Sequence, residues 1–234
     1  MNINLYGFNI EQLNKLMKEE NLPSFRAKQL YNWLQKNQVL GWEGMKNIPQ
    51  AMVQKLKDNG YGCSLPKILS QSTSEDGMTV KCLLELEDGG KIETVLMRYR
   101  HSSSRKRNTV CVSSQVGCAM GCPFCATGNA GFKRDLSVAE IVGQIALMNR
   151  IIRETEPEGQ VTNVVFMGMG EPLQNYDQVI AAIRLINHEQ GLNIGMRRIT
   201  VSTCGLVPRI LDLAEEGMQV TLAVSLHAAT DEKR

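Results

Sequence analysis

No stretch of this chain approaches the roughly 18–20 consecutive apolar residues that a membrane-spanning helix needs, so no membrane association is expected. The start, Met1-Asn2-Ile3-Asn4-Leu5, lacks the basic flank and apolar core of a secretory signal, which makes a cytoplasmic location the expectation. Net charge is small, +2 over 234 residues. A balanced disulfide set is missing as well. There are seven cysteines, an odd number, and Cys111, Cys118, Cys122 and Cys125 fall within fifteen positions. Such crowding is a poor disulfide framework and points to metal or redox chemistry.

What is present has the makeup of an ordinary globular protein, 43% hydrophobic and 21% charged, long enough for one large domain or a medium one with a small companion. Charge is unevenly spread. Residues 1–107 carry 16 Lys and Arg against 11 Asp and Glu, and the rest carry 10 against 13. That split fits either a front part that meets a polyanion or an ordinary solvated surface.

The chain divides into three parts. Residues 1–60 read as a helical module. Asn9 with Gln12 three residues later forms a capping box ahead of Leu13, Leu16 and Met17. Pro23-Ser24 ends that helix and caps a second, with Phe25, Leu30, Trp33 and Leu34 on one face. Pro49 opens a third helix and Gly60 follows it. Residues 61–107 switch to a period of two. Val80, Cys82, Leu84 and Leu86 alternate with polar neighbours, Asp88-Gly89-Gly90 makes a turn, and Ile92 to Met97 returns as a hairpin. Cys63 and Cys82 read as structural thiols. Arg98, Arg100, Arg105, Lys106 and Arg107, with His101 and three serines, read as an exposed basic connector, solvated or in contact with phosphates.

Residues 108–234 repeat strand, loop and helix. Strands are expected at 110–112, 164–167, 198–202 and 220–226, with helices opening at the Ser137–Glu140 capping box and spanning Val179 to Ile186 and Val207 to Glu216. This alternation implies parallel strands joined by right-handed crossovers, with ligands gathering beyond the strands' carboxyl ends. The loops there hold Cys118, Cys122 and Cys125, then Gly168–Glu171, Ser202–Gly205 and Ser225–His227. Four strands do not close a barrel, so the chain reads as cut short at Arg234.

The spacing C-x3-C-x2-C at Cys118, Cys122 and Cys125 leaves three options. A structural zinc site and a ferredoxin-type cluster each want four ligands, and after Cys125 only Cys204 follows. The third option is a 4Fe–4S cubane on three thiolates, with one iron open. Gly121 and Pro123 break any helix and leave a loop able to wrap a cluster.

These residues resemble a known family. The cysteine loop after a first parallel strand is similar to the signature of radical S-adenosylmethionine (SAM) enzymes. Cys111-Val112-Ser113-Ser114-Gln115-Val116-Gly117-Cys118, Phe166-Met167-Gly168-Met169-Gly170-Glu171-Pro172, Ile199–Thr203 and Val224–His227 resemble, over essentially the whole chain, the RNA adenine C2-methyltransferases of the RlmN type. The resemblance implies an α/β fold, a partial radical-SAM barrel with about four of six parallel strands, behind the helical module and hairpin. It implies that Cys118, Cys122 and Cys125 ligate a 4Fe–4S cluster whose open iron chelates SAM. Gly170 and Glu171 would hold the SAM amino end, Ser202 its ribose, and Ser225, Leu226 and His227 a further wall.

In that family, reductive cleavage of SAM produces a radical that takes hydrogen from a methyl group carried on a C-terminal cysteine. The resulting carbon radical adds to adenine C2, and a second cysteine resolves the protein–RNA bond. Cys111 matches the resolving cysteine and Glu93 the proton acceptor. The implied partners are large-subunit ribosomal RNA, tRNA and a reducing electron donor such as flavodoxin or ferredoxin. No cysteine here matches the methyl carrier, so a chain ending at Arg234 is expected to bind little SAM productively and not to complete methyl transfer. The alternatives are a C8-adenine methyltransferase of the antibiotic-resistance branch and a non-catalytic, metal-stabilised RNA-binding fragment.

Overall fold

The computed structural model describes residues 3–100 and 106–233; His101 to Arg105, part of the expected basic connector, lie outside the described residues. The helical module starts with strand β1 (Ile3–Asn4), then α1 (Ile10–Glu19), α2 (Phe25–Tyr31) and α3 (Gln50–Asp58). It closes where β2 (Tyr61–Gly62) pairs in parallel with β1. The Asn9–Gln12 box forms in both directions, each bond 2.8 Å, and Leu13, Leu16 and Met17 are buried beneath it. The second helix departs from expectation. Ser24 already has helical backbone angles, so its side chain makes no cap, and Phe25 at the helix start is 57% exposed. The buried face is instead Ala27, Leu30, Tyr31 and Leu34, and the backbone widens into a π-turn over Asn32–Lys36.

The hairpin forms as read, with β4 (Thr79–Glu85) and β5 (Lys91–Tyr99) antiparallel and Val80, Cys82, Leu84, Ile92 and Leu96 buried on one face. A strand absent from the sequence reading, β3 (Lys67–Thr73), pairs with β4 as an edge; every residue in it is exposed, so no burial alternation marked it. Three of the arginines expected in a free connector are engaged. Arg98 donates to the Gly77 carbonyl, Arg107 stacks on Tyr99, and Arg100 pairs with Glu156 at 2.5 Å.

From β5 the sheet runs on without a break. β6 (Arg107–Cys111) pairs antiparallel with β5, and β9 (Asn163–Phe166), β10 (Ile199–Thr203) and β11 (Thr221–Val224) follow in parallel, giving a seven-stranded order β11-β10-β9-β6-β5-β4-β3. Between β6 and β9 lie the short pair β7 (Gln115–Val116) and β8 (Arg134–Asp135), the one-turn helix α4 (Ala126–Asn129) and α5 (Val138–Thr155). Helices α6 (Tyr176–Asn187) and α7 (Val207–Glu215) link the remaining strands. The four parallel strands are laid down in sequential order with no reversal. With crossovers of one hand, that order keeps the helices on one face, as in a β/α barrel rather than a doubly wound sheet.

Accordingly Val110, Val164, Phe166, Ile199 and Val201 are buried on the face that packs α5 and α6, through Ile141, Ile145, Ile152, Val179 and Ile183. The opposite face carries Glu93, Val95, Cys111, Val165, Thr200 and Ser202, all only partly buried. That open face and the carboxyl ends of its strands hold the candidate site.

Candidate functional site

The cysteine loop is the excursion between β7 and β8. Its base is a two-rung antiparallel ladder, Gln115 opposite Asp135 and Val116 opposite Arg134. Inside it Cys118 N–H donates to the Gly131 carbonyl at 3.3 Å, and Lys133 N–H to Val116 at 2.9 Å. The chain closes here because Gly117 has φ +79°, and a Cβ there would lie 1.8 Å from the Gly131 oxygen. Only glycine permits that approach. Arg134 fastens the ladder from outside, donating to Asp88 at 2.6 Å and, through two nitrogens, to Glu140 at 2.8 and 2.9 Å.

Cys118, Cys122 and Cys125 are each partly exposed within this loop. Burial raises the Cys118 thiol pKa above its usual value, as do the negative groups Glu171, Cys122 and Cys125, while a hydrogen bond from the Met120 backbone lowers it. An amide aimed at sulfur, three thiols in one closed loop and no competing acid inside it suit a thiolate-bound group. Among the described residues, no three His, Cys, Asp or Glu side chains converge as one metal ion requires. A cubane does not need that convergence, because each thiolate meets a different iron.

The loop after β9 lies against the cysteine loop's base. Ser114 and Gln115 N–H both donate to the Met169 carbonyl, at 2.8 and 3.1 Å, and Ser113 Oγ accepts from Met169 N–H at 2.9 Å. Gly170 has φ +101°, and a Cβ there would sit 2.5 Å from Gln115 Cβ. Glu171 is buried. Its two carboxylate oxygens accept from Leu173 N–H at 3.0 Å and Cys204 N–H at 2.8 Å, so the residue also braces the loop after β10.

The other candidates fall into two groups. Ser202 and Ser225 meet, their hydroxyls 3.3 Å apart. His227, in the left-handed region at φ +59°, brings its ring to 4.5 Å from that of Phe124 in the cysteine loop. Leu226 beside it is 56% exposed. Glu93 and Cys111 share the open face lower down: register pairs Cys111 with Val95, two residues beyond Glu93. Glu93 forms an ion pair with Lys81 at 2.6 Å. Burial pushes up the Cys111 thiol pKa, partly offset by a hydrogen bond from the Met167 backbone.

The sequence reading gave no part to Asp135 or Gln144 and named Gln115, Phe124 and Cys204 only within longer stretches, without a role for each. Gln144 clamps Ser113 in both directions, at 2.8 and 3.0 Å. Cys204 lies by Glu171, and its thiol is pushed up to about 11 by burial first and then by that carboxylate. Polar residues inside otherwise apolar helix and strand patterns, Gln115 and Gln144 above all, were the available signal.

The profile of the radical SAM superfamily matches residues 112–234, and that of the ribosomal RNA large subunit methyltransferase N-terminal domain matches residues 3–61. A probable dual-specificity RNA methyltransferase RlmN of Clostridium perfringens is 47% identical over 232 residues, covering 99% of this chain and 63% of the relative. Its counterpart from Clostridium tetani is 48% identical over 233 residues, with the same two shares. The crystal structure of a radical SAM methyltransferase from Sphaerobacter thermophilus superposes with a TM-score of 0.90 at 40% identity, covering 98% of this chain and 65% of that one. The chain thus spans just under two thirds of the length of the curated relatives it matches.

Proposed function

This chain belongs to the radical SAM superfamily, and from that premise we propose that it forms the cluster- and SAM-binding part of an RNA adenine C2-methyltransferase acting on ribosomal RNA and tRNA. The observation that supports this most is the contact between two loops: the closed cysteine loop and the Gly168–Glu171 loop, joined through Gln115. Cys118, Cys122 and Cys125 would hold the 4Fe–4S cluster, and Gly170, Glu171, Ser202, Ser225, Leu226 and His227 would line the SAM site. Bound together, the cluster and SAM supply one-electron chemistry that reaches an aromatic carbon too electron-poor to attack a methyl group directly.

The chain's own residues set the conditions for that chemistry. Ser202 and Ser225 offer paired hydroxyls to a ribose. Phe124 and His227 form an aromatic wall next to the cysteine loop. Burial raises the Cys111 thiol pKa. As the resolving cysteine it would give up its proton as its sulfur attacks the thioether sulfur of a methyl-carrier cysteine, the S–S bond forming as the S–C bond to the base breaks and the released carbon takes up a proton. Glu93, on the same face, is the proton acceptor in this reading. Residues 1–60 and the basic positions of 61–107 would grip RNA, with residues 108–234 as the reaction domain; a flavodoxin or ferredoxin would deliver the electron in the cytoplasm. Among the described residues no helix is long and apolar enough to cross a membrane.

Anaerobic reconstitution with iron and sulfide tests the reading. The expected result is a visible absorption lost together in Cys118→Ala, Cys122→Ala and Cys125→Ala, and a reduced-cluster paramagnetic resonance signal that millimolar SAM alters. Stoichiometric zinc, with no iron-dependent absorption, overturns it.

A further inference from the structure

We infer that Gln115 is a positioning residue that sets the distance between the cysteine loop and the loop that holds the SAM amino end; this rests on the reading above. Its side chain is fully buried and spans the two loops. Oε1 accepts the Glu171 N–H at 2.8 Å, and Nε2 donates to Asp135 Oδ1 at 2.8 Å, on the closing strand of the cysteine loop. Its own N–H donates to the Met169 carbonyl at 3.1 Å. Gly170 presses directly on its Cβ and Cγ, the contact that excludes any side chain at 170. One residue therefore touches both strands of the cysteine loop's base and three successive residues of the Gly-Met-Gly-Glu loop, Met169, Gly170 and Glu171.

The geometry gives this contact a chemical consequence. A ligand that chelates an open iron through its amino and carboxyl groups, while protein groups hold that same amino end, is anchored at both loops at once. The spacing between the anchors then enters its affinity directly, whereas cluster assembly depends on the three thiols and on the closure of their own loop at Gly117. Glutamine fits because it presents an acceptor and a donor on one planar group, matching an amide N–H on one side and a carboxylate on the other. Leucine fills the volume but leaves the buried Glu171 N–H unpartnered and Asp135 to solvent. Glutamate keeps the acceptor and sets a second carboxylate against Asp135.

The test uses the full chain, reconstituted anaerobically, with iron and sulfide content and the SAM dependence of the reduced-cluster signal measured for each variant. Gln115→Leu and Gln115→Glu are expected to keep the parent's iron content while raising the SAM concentration for half-maximal change about tenfold, the cost of one buried unsatisfied hydrogen bond. Adding Asp135→Asn to Gln115→Glu restores a donor–acceptor pair in the opposite direction. That double variant is expected to return to within about threefold of the parent, a small fraction of one such bond. A recovery of this kind is not produced by a merely structural defect. Variants that match the parent in SAM response, or lose iron in proportion to it, overturn the inference. A parent whose signal ignores SAM overturns the functional reading itself, and with it this one.

Discussion

At the scale of single residues, the thiols are sorted by environment rather than by chemistry. Cys63 is buried and its thiol is pushed up to about 12 by desolvation; Cys82 is fully buried and shifted the same way. Cys204 is raised to about 11, with Glu171 adding to burial. Alkylation needs thiolate and access together. In the metal-free chain at pH 8, mass mapping after brief iodoacetamide treatment is therefore expected to find Cys122 and Cys125, partly exposed in their loop, modified ahead of the buried Cys63 and Cys82 and ahead of Cys204, whose thiol is raised to about 11. Equal labelling of Cys204 and the loop cysteines contradicts this order. Cluster reconstitution should then protect the loop cysteines selectively.

The loop cysteines were legible in the sequence because their spacing is local, as were the two capping boxes, Asn9–Gln12 and Ser137–Glu140, both of which form in both directions. Phe25 was misplaced for a related reason. Helical periodicity locates a face, yet the first residue of a helix sits where the chain turns out of the core, and there the period carries no burial information.

At the scale of elements, the cysteine loop behaves as a closed unit with one narrow point. Gly117→Ala places a methyl group 1.8 Å from the Gly131 oxygen in a backbone region that L-residues avoid, so the base must open. The expected outcome is at least a halving of iron bound on reconstitution, since backbone strain of about 1–3 kcal/mol is added where the loop's two ends meet. Far-UV circular dichroism should be unchanged, because α5, α6 and the main sheet do not rest on that contact. Retention of full iron content argues that the loop closes some other way. By contrast, β3 was invisible in the sequence. An edge strand exposed at every position has no alternation to read, and only its pairing with β4 makes it a strand.

At the scale of the molecule, Arg134 joins three regions: the hairpin turn at Asp88, the closing strand of the cysteine loop and the first turn of α5 at Glu140. The guanidinium holds the Asp88 carboxyl down at about 2. A folded-state pKa below the unfolded value of about 3.9 means the pair's contribution is fully present above that pH and lost as pH falls through about 2. Both side chains are about a third exposed, so solvent limits the contribution to roughly 1 kcal/mol. Arg134→Met is expected to lower the melting temperature at pH 7 by about 2–4 °C. The difference from the parent should narrow as pH drops from 4 towards 2. A difference independent of pH across that window removes the Asp88 pair as its source.

The sequence by itself determined what repeats locally: the helical caps, the hairpin, the strand–loop–helix alternation and the three-thiol loop, each encoded within a few residues by period, turn chemistry or spacing. Tertiary structure alone decided how those pieces meet. It ran the hairpin into the same sheet as the parallel strands, kept the helices on one face, and brought Gln115 to Glu171, Ser202 to Ser225 and Phe124 to His227. The reason is physical. Hydrogen bonds between partners 56, 23 or more residues apart leave no mark in any local pattern, and only burial of the shared core sets the distances at which they form.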